Sequence, residues 1–177
     1  NAVLYNTELL EKEQQTLLRN ELMKDLKFAS KDIITSLRET IWALKKDNYT
    51  AHDCLIRIRN FVQPFSRYYP HIHFKIEGEA SSEIYLHYTK ALNVVRIVQE
   101  AVTNAIKHSG AANITIISTQ HENKWKLQVN DDGTGIVKDS MRGVDEGNGL
   151  ENMKRRAAEA SIGFTILSEM KSGTSIN

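Results

Sequence analysis

Several features that mark other protein classes are missing from this 177-residue sequence. A single cysteine, Cys54, excludes an internal disulfide and fits a reducing compartment, so we expect a cytoplasmic location. The formal net charge is only +1, which gives no reason to expect a nucleic-acid or membrane partner. No apolar run approaches the ~20 residues of a membrane-spanning helix, and no signal-peptide pattern begins the chain. Any membrane attachment would therefore lie in segments outside this sequence.

What is present is ordinary globular composition, with 41% hydrophobic and 25% charged residues. The length fits one domain with a small helical appendage. We predict the appendage at residues 1–48 and the main domain at residues 49–177. The chain opens on Asn1 and stops at Asn177 within an expected strand, so we expect a piece of a longer protein.

The appendage has a helical pattern. Residues 21–46 contain neither proline nor glycine, and apolar side chains recur there at steps of four and three, which predicts a heptad seam. A shorter helix is expected before it, around Leu4 and Leu9. A hairpin of two such helices that pairs with a second copy is favoured over packing on the chain's own domain. The seam includes Leu22, Leu26, Ala29, Ile33, Leu37 and Leu44.

The main domain mixes helix and strand patterns. Strands in a run, with helices collected between them, predict an α+β fold, specifically an α/β sandwich with a mixed sheet and helices on one face. Thr50 or Asp53 is expected to cap the first helix. The predicted helices are 51–65, Leu86–His108 and Leu150–Ser161, and the predicted strands are His71–Glu77, Asn113–Thr119, Lys124–Asn130, Gly163–Ser168 and Thr174 onward.

Four segments in the second half carry carboxylates, amides or glycines in an order that suits a magnesium nucleotide. In the first, Glu100 and Asn104 lie one helical turn apart and share a face, so they offer hard oxygen donors to Mg²⁺. Lys107 and His108, one turn further, offer positive charge to phosphates. The alternative for this segment is an exposed polar stripe on an amphipathic helix.

The second segment is Asp131–Gly135, directly after a predicted strand. A carboxylate at a strand end can accept a hydrogen bond from an exocyclic amine, and Gly133 and Gly135 let the backbone approach a flat base. An Asp-Gly turn is the alternative. A calcium loop is excluded, because no glutamate closes one.

The remaining two segments are glycine turns. Residues Gly147–Leu150 lead into a helix, whose free N–H groups favour phosphate. Residues Lys171–Thr174 join two predicted strands, and taken alone this segment favours a simple hairpin turn over a nucleotide contact. Neither segment has the spacing of a P-loop or of a dinucleotide-binding fingerprint.

Together these motifs resemble the sensor histidine kinases. Residues Arg96–His108 are similar to their N box, Asp131–Gly135 to the G1 box, Gly147–Met153 to the G2 box, and Gly173-Thr174 to a later Gly-Thr motif. Residues Ser36–Leu44 resemble the second helix of the dimerisation and phosphotransfer hairpin in the subfamily with a short lid. The resemblance implies the GHKL ATPase fold, with ATP and Mg²⁺ as cofactors. It also implies a homodimer through the N-terminal helices and a response regulator as partner.

The resemblance also implies residue roles. Asn104 would ligate Mg²⁺, Asp131 would read the adenine amine, and Glu100 is the candidate base. An acidic residue upstream of the chain is the alternative base. The remaining nucleotide-binding candidates are Lys107, His108, Gly133, Gly135, Gly147, Gly149, Leu150 and Thr174.

One departure from the family pattern is decisive, because residues 1–46 contain no histidine. The phosphoacceptor should lie in the first hairpin helix, so we expect it upstream of Asn1 and expect this chain to bind ATP without its own acceptor. A short lid of about eleven residues is expected between Gly135 and Gly147. The rival hypotheses are another GHKL ATPase, such as an anti-sigma serine kinase, and a dimerisation scaffold with a degenerate nucleotide site.

Overall fold

The computed structural model describes residues 18–20, 22, 23, 26, 30, 33–35, 37–136, 148–169 and 172–177, and only the backbone at residue 148. The chain forms two compact units, Asn1–Trp42 and Ala43–Asn177. The predicted boundary between residues 48 and 49 stays a prediction. The predicted helix around Leu4 and Leu9, the residue Gly147, the residue Lys171 and nearly all of the predicted lid lie outside the described residues.

In the first unit, every described position from 18 to 42 is helical, as the heptad pattern predicts. Its apolar seam is open to solvent in the single chain. The seam residues Leu22, Leu26, Ile33 and Leu37 are between 55% and 63% exposed. Helical structure ends at Ala43, three residues before the predicted end.

The second unit is built on a five-stranded mixed sheet, which confirms the predicted α+β sandwich. The strands are β1 Asn48–Thr50, β2 His73–Glu77, β3 Tyr85–His87, β4 Asn113–His121, β5 Lys124–Asp131, β6 Ile166–Glu169 and β7 Gly173–Ile176. The order of strands in the main sheet is β2-β4-β5-β7-β6, with β2 parallel to β4 and the other pairs antiparallel. A separate two-stranded ribbon pairs β1 with β3.

The helices cover the apolar face of this sheet. Side chains alternate along the strands, so Ile114, Ile116 and Val129 are buried while their neighbours are not. The helices are α1 Ala51–Val62, α2 Phe65–Tyr68, α3 Tyr88–Asn104 and α4 Asn148–Glu159, and a π-helical turn, Ala105–Ser109, continues α3. Helices α1 and α4 both contact the central helix α3.

Side-chain hydrogen bonds fix the start of the first helix. Thr50 accepts the N–H of Asp53, and the Asp53 carboxylate accepts the N–H of Thr50, both at 3.0 Å, which is a complete capping box. The prediction of a helix as far as Phe65 is wrong, because α1 ends at Val62. Pro64 has no N–H to donate to the preceding turn, so it starts the separate helix α2.

The structure also corrects the start of the central helix. The pattern predicted helix from Leu86, but Leu86 lies in β3 and pairs with Tyr49 of β1. Helix α3 begins at Tyr88 and ends in the π-helical turn, after which Gly110 takes a left-handed conformation with φ of 62°. The strands predicted from His71 and from Gly163 begin later, at His73 and Ile166. No helix in the described part of the chain is both long and apolar enough to span a membrane.

Candidate functional site

Asp131 is the last residue of β5, the strand between β4 and β7. Its carboxylate accepts the N–H of Gly133 at 3.0 Å, and the nearby Thr174 backbone N–H and Ser109 hydroxyl also favour its ionised form. Burial raises the pKa of the Asp131 carboxyl above its usual range, against the lowering effect of those donors. The side chain is therefore a half-buried carboxylate fixed in one orientation.

The Asp131 carboxylate keeps open hydrogen-bond capacity. An ionised carboxylate offers about four lone-pair directions, and the N–H of Gly133 occupies one of them. The remaining directions can accept N–H donors from a bound molecule.

Glycines allow the chain around Asp131 to approach closely. A side chain at Gly133 would overlap the backbone of Ser109, and one at Gly173 would overlap the carbonyl of Asp131. Gly135 has φ of 74° and Gly173 has φ of 83°, conformations that other residues rarely adopt. These three positions tolerate no side chain without displacement of backbone.

Two hydrogen bonds hold the loop after Asp131 to its neighbours. The N–H of Thr134 donates to the Ser109 carbonyl at 2.8 Å, and the N–H of Ile136 donates to Ser168 Oγ at 2.7 Å. Ser168 Oγ also lies 3.1 Å from Thr174 Oγ1. The loop is thus anchored between the π-helical turn and the β6–β7 hairpin.

Asp132, the next residue, has a different role. It accepts the N–H groups of Ala112 and Asn113 at 2.9 and 2.8 Å and the side-chain amide of Asn113 at 2.6 Å. The amide of Asn113 is the main cause that lowers the pKa of this carboxyl. Adjacent carboxylates therefore differ: Asp132 fixes the start of β4, while Asp131 keeps an open lone pair.

Glu100 and Asn104 project from the last turn of α3, and both are half-exposed. Gly149, in the first turn of α4, lies against them. A Cβ on Gly149 would be 3.1 Å from Asn104 Nδ2 and would overlap Glu100 Oε1. The structure thus brings together the first and third predicted segments, with half-buried Leu150 next to Gly149. Lys107 and His108 lie on the π-helical turn and are exposed.

The donor set at Glu100 and Asn104 fits a magnesium ion that arrives with a nucleotide. Within the described residues, no group of three or more His, Cys, Asp or Glu side chains could hold a metal ion by itself. Mg²⁺ commonly takes only one or two protein oxygens, with phosphate oxygens and water as its other ligands. A Cβ at position 149 would displace the end of the Glu100 side chain, so the glycine lets the Glu100 carboxylate stay beside Asn104.

Sequence reasoning missed Ser109 and Ser168, which support the Asp131 loop. Nothing in the sequence marks either residue, because each contacts a segment distant in the chain. A cavity of about 260 Å³ elsewhere in the domain is lined by the earlier part of α3 and by β5, including Val94, Trp125 and Phe164. None of its lining residues is a predicted site residue.

Comparison with known proteins finds a family whose sequence model matches the second half of the chain. Residues 89–177 match the sequence model described as histidine kinase-, DNA gyrase B-, and HSP90-like ATPase. Sensor protein VraS of Staphylococcus saprophyticus is 36% identical over 84 residues, and VraS of Staphylococcus aureus is 33% identical over 84 residues. Each match covers 48% of this chain and 24% of the relative. The chain thus spans about a quarter of the length of these relatives.

Solved structures agree in fold. The histidine kinase AdeS of Acinetobacter baumannii superposes with a TM-score of 0.61 at 15% identity, covering 90% of this chain and 82% of AdeS. The ATP binding domain of PrrB from Mycobacterium tuberculosis gives a TM-score of 0.55 at 17% identity, covering 74% of this chain and 94% of that domain. At such identities the likeness shows the fold alone.

Proposed function

We propose that this chain, which belongs to the histidine kinase-, DNA gyrase B-, and HSP90-like ATPase family, is the ATP-binding catalytic portion of a two-component sensor histidine kinase. In the whole protein, the γ-phosphoryl group of ATP would pass to a histidine outside this sequence and then to an aspartate of a response regulator. The observation that carries the proposal is the half-buried Asp131 carboxylate, which accepts the N–H of Gly133 at 3.0 Å and keeps open acceptor capacity beside glycines that leave no side chain in the way. The reducing compartment suggested by Cys54 is the cytoplasm.

Asp131 would recognise the adenine ring of the nucleotide. Its open lone pair accepts the exocyclic amine of adenine, and the absence of side chains at Gly133, Gly135 and Gly173 lets the backbone approach the ring. Thr174 supports this carboxylate through its backbone N–H. An adenine nucleotide satisfies the open acceptor, whereas a base with a carbonyl at that position does not.

The phosphates would lie toward the junction of α3 and α4. Asn104 offers its side-chain oxygen to Mg²⁺, which neutralises phosphate charge in phosphoryl transfer when it is bound. Glu100 beside it orients a ligand or accepts a proton. Lys107 and His108 add positive charge, and the first turn of α4, with Gly149 and Leu150, offers free N–H groups to phosphate oxygens. Gly147, outside the described residues, belongs to the same proposed phosphate segment.

Binding of Mg·ATP by the 177-residue chain, measured by isothermal titration calorimetry, tests the nucleotide assignment. We expect Mg²⁺ to strengthen ATP binding in the wild type. The Asn104→Ala variant should lose that strengthening but bind ATP in EDTA as the wild type does. Thr103→Ala, one position away, is the control and should respond to Mg²⁺ normally. Failure of the wild type to bind ATP would favour the scaffold hypothesis.

The position of the phosphoacceptor histidine is tested by a separate experiment. A longer form of the protein that includes residues preceding Asn1 should incorporate label from γ-labelled ATP, while the present chain should not. The product should be a phosphoramidate, stable to base and lost in acid. A label that survives acid would point instead to a serine kinase of the same superfamily.

The exposed seam of the first unit supports a homodimer. Leu26 and Leu37 are 63% and 57% exposed although both are large and apolar. We expect sedimentation to give a dimer for the wild type and a monomer for the double variant Leu26→Asp, Leu37→Asp. Arg38→Glu, an exposed residue off the seam, should leave the dimer intact. A wild-type monomer would remove this part of the proposal.

A further inference from the structure

We propose that the cavity of about 260 Å³ beside β5 is a slot for one further length of strand. The occupant is the polypeptide that follows Asn177 in the longer protein, and it carries apolar side chains at its first and third residues. None of the residues that line the slot belongs to the proposed nucleotide site, so the slot can be tested whether or not the chain binds ATP.

The edge of β5 that faces β7 is only partly paired. Strand β4 pairs with β5 along its whole length, from Lys124 to Asp131. On the other edge, β7 pairs with residues 129–131 alone, so within the described residues Lys124–Gln128 have no strand partner on that side. Such an edge presents backbone N–H and C=O groups with which a further strand can pair.

Extended chain also forms the opposite wall of the slot. Thr165 and Asn177 exchange two backbone hydrogen bonds of 2.9 Å, which continue the pairing of β6 with β7. Residues Ile162–Phe164, just before Thr165, line the cavity together with Trp125–Leu127 of β5. Because Ile176 pairs with Val129, the same register puts the first residue after Asn177 opposite Leu127. A strand in line with β7 would therefore have a neighbour on each side.

Apolar side chains form the floor of the slot. Ile97 and Val98 of α3 line it, as do Val129 of β5 and Ile176 of β7, and each of these four is at most 7% exposed. Side chains alternate along a strand, so the inward face that holds Ile176 also receives the first and third residues after Asn177. Apolar side chains at these two positions would extend the core of the domain into the slot.

The outward positions of the added strand call for different side chains. In the register of β5 and β7, the second and fourth residues after Asn177 lie opposite Lys126 and Lys124, which are exposed. Polar or acidic side chains suit neighbours of this kind. The fitting segment therefore alternates apolar and polar residues, beginning with an apolar one.

Asn177 supplies a second observation. It lines the slot, and its Oδ1 is buried without a hydrogen-bond partner. Buried acceptors in folded proteins nearly always have a donor. Backbone that continues past Asn177 brings N–H groups into the slot, whereas a wholly apolar ligand brings none. The unpaired oxygen thus favours polypeptide as the occupant.

The test adds four residues after Asn177 and uses no nucleotide. One extension is Val-Thr-Val-Thr, with both valines on the inward face, and its control is Thr-Val-Thr-Val, of equal length and composition. A shift of one residue moves every side chain to the other face, so only the first extension fills the slot. We expect it to raise the Tm by about 5 °C, from burial of two valines less the cost of ordering four residues. The control should change the Tm by less than about 2 °C.

Trp125 gives a readout that general stabilisation would not move. It lines the slot, lies opposite the third added residue and is half-exposed. Trp42, the other tryptophan, is replaced by phenylalanine in every variant, so that fluorescence comes from Trp125 alone. The first extension should shift the emission maximum of the folded protein to shorter wavelength, because it excludes water from the indole ring. The control should leave the maximum unchanged.

The outcomes are distinct. Equal changes of Tm and emission for the two extensions, or no change for the first, would overturn the proposal. A free Val-Thr-Val-Thr peptide at about 0.1 mM that matches the effect of the extension would also overturn it, because the slot would then accept separate polypeptides. A rise in Tm and a shift in emission with the first extension alone support it. Failure of the chain to bind ATP would overturn the proposed function and leave this inference in place.

Discussion

Replacement of Asp131 by asparagine should remove adenine recognition while leaving the fold intact. The change is nearly isosteric, but it removes the negative charge and replaces one acceptor oxygen with an NH₂ donor. That donor then faces either the base amine or the N–H of Gly133. In either orientation, two donors point at each other, so a hydrogen bond is lost.

The magnitude follows from the type of bond. A hydrogen bond to a charged acceptor is worth about 1.5–3 kcal/mol, so the affinity for ATP should fall about 10- to 150-fold. The adenine amine gives one such bond to Asp131, so we count one bond and no more. If the new NH₂ faces the N–H of Gly133 instead, the lost bond is internal and the free energy of unfolding should fall by about 1 kcal/mol.

Asp132→Asn is the control for this experiment. Asp132 adjoins Asp131, but its hydrogen bonds go to Ala112 and Asn113 at the start of β4. Calorimetry should show unchanged ATP affinity for this variant, and urea titration should show a modest loss of stability. The reasoning is wrong if Asp131→Asn binds ATP as the wild type does, or if Asp132→Asn loses as much affinity.

Three further predictions follow from particular contacts. Gly149→Ala should weaken Mg·ATP binding, because its Cβ would overlap Glu100 Oε1. Gly163→Ala, with no atom near its Cβ, should bind normally, and equal Mg·ATP affinities of the two variants in calorimetry would contradict this. Thr50→Ala should lower the urea-derived free energy of unfolding by about 1 kcal/mol through loss of the capping box, and an unchanged midpoint would refute it. The Thr50 backbone N–H is the main cause that lowers the pKa of Asp53. The stability that Asp53 contributes is therefore present above the unfolded-state pKa of about 3.9 and is lost as the pH falls through the lower folded-state pKa. Burial raises the pKa of the Cys54 thiol to about 12, so iodoacetamide should label it in urea and not in the native protein, as judged by mass spectrometry; rapid native labelling would contradict the burial.

Local signals predicted most of the elements. The β4–β5 hairpin follows from two β-rich runs on either side of a polar turn, and the start of α1 follows from the reciprocal bonds available to Thr50 and Asp53. Both are decided within a few residues. The mixed sheet and the family were confirmed because the order of elements and motifs is itself a sequence property.

The wrong element predictions lie where strand pairing joins residues that are distant in the sequence. The pattern put Leu86 in a helix, because its apolar character continues into α3, yet backbone pairing with Tyr49 makes it a strand. A three-residue strand has too short an alternation to be recognised in sequence. The π-helical turn at Ala105–Ser109 was also not predicted, since its residues fit an ordinary helix equally well.

Sequence alone places Glu100 and Asn104 one helical turn apart and puts Asp131 before two glycines, which are the local relations of the candidate site. These relations lie within short segments, where helical and strand geometry fix the spacing of side chains. Packing of distant segments places Gly149 against α3, gives Asp132 and Asp131 different hydrogen-bond partners, and ties the loop after Asp131 to the Ser109 carbonyl. Those contacts join residues far apart in the chain, and they form only when sheet and helices pack together.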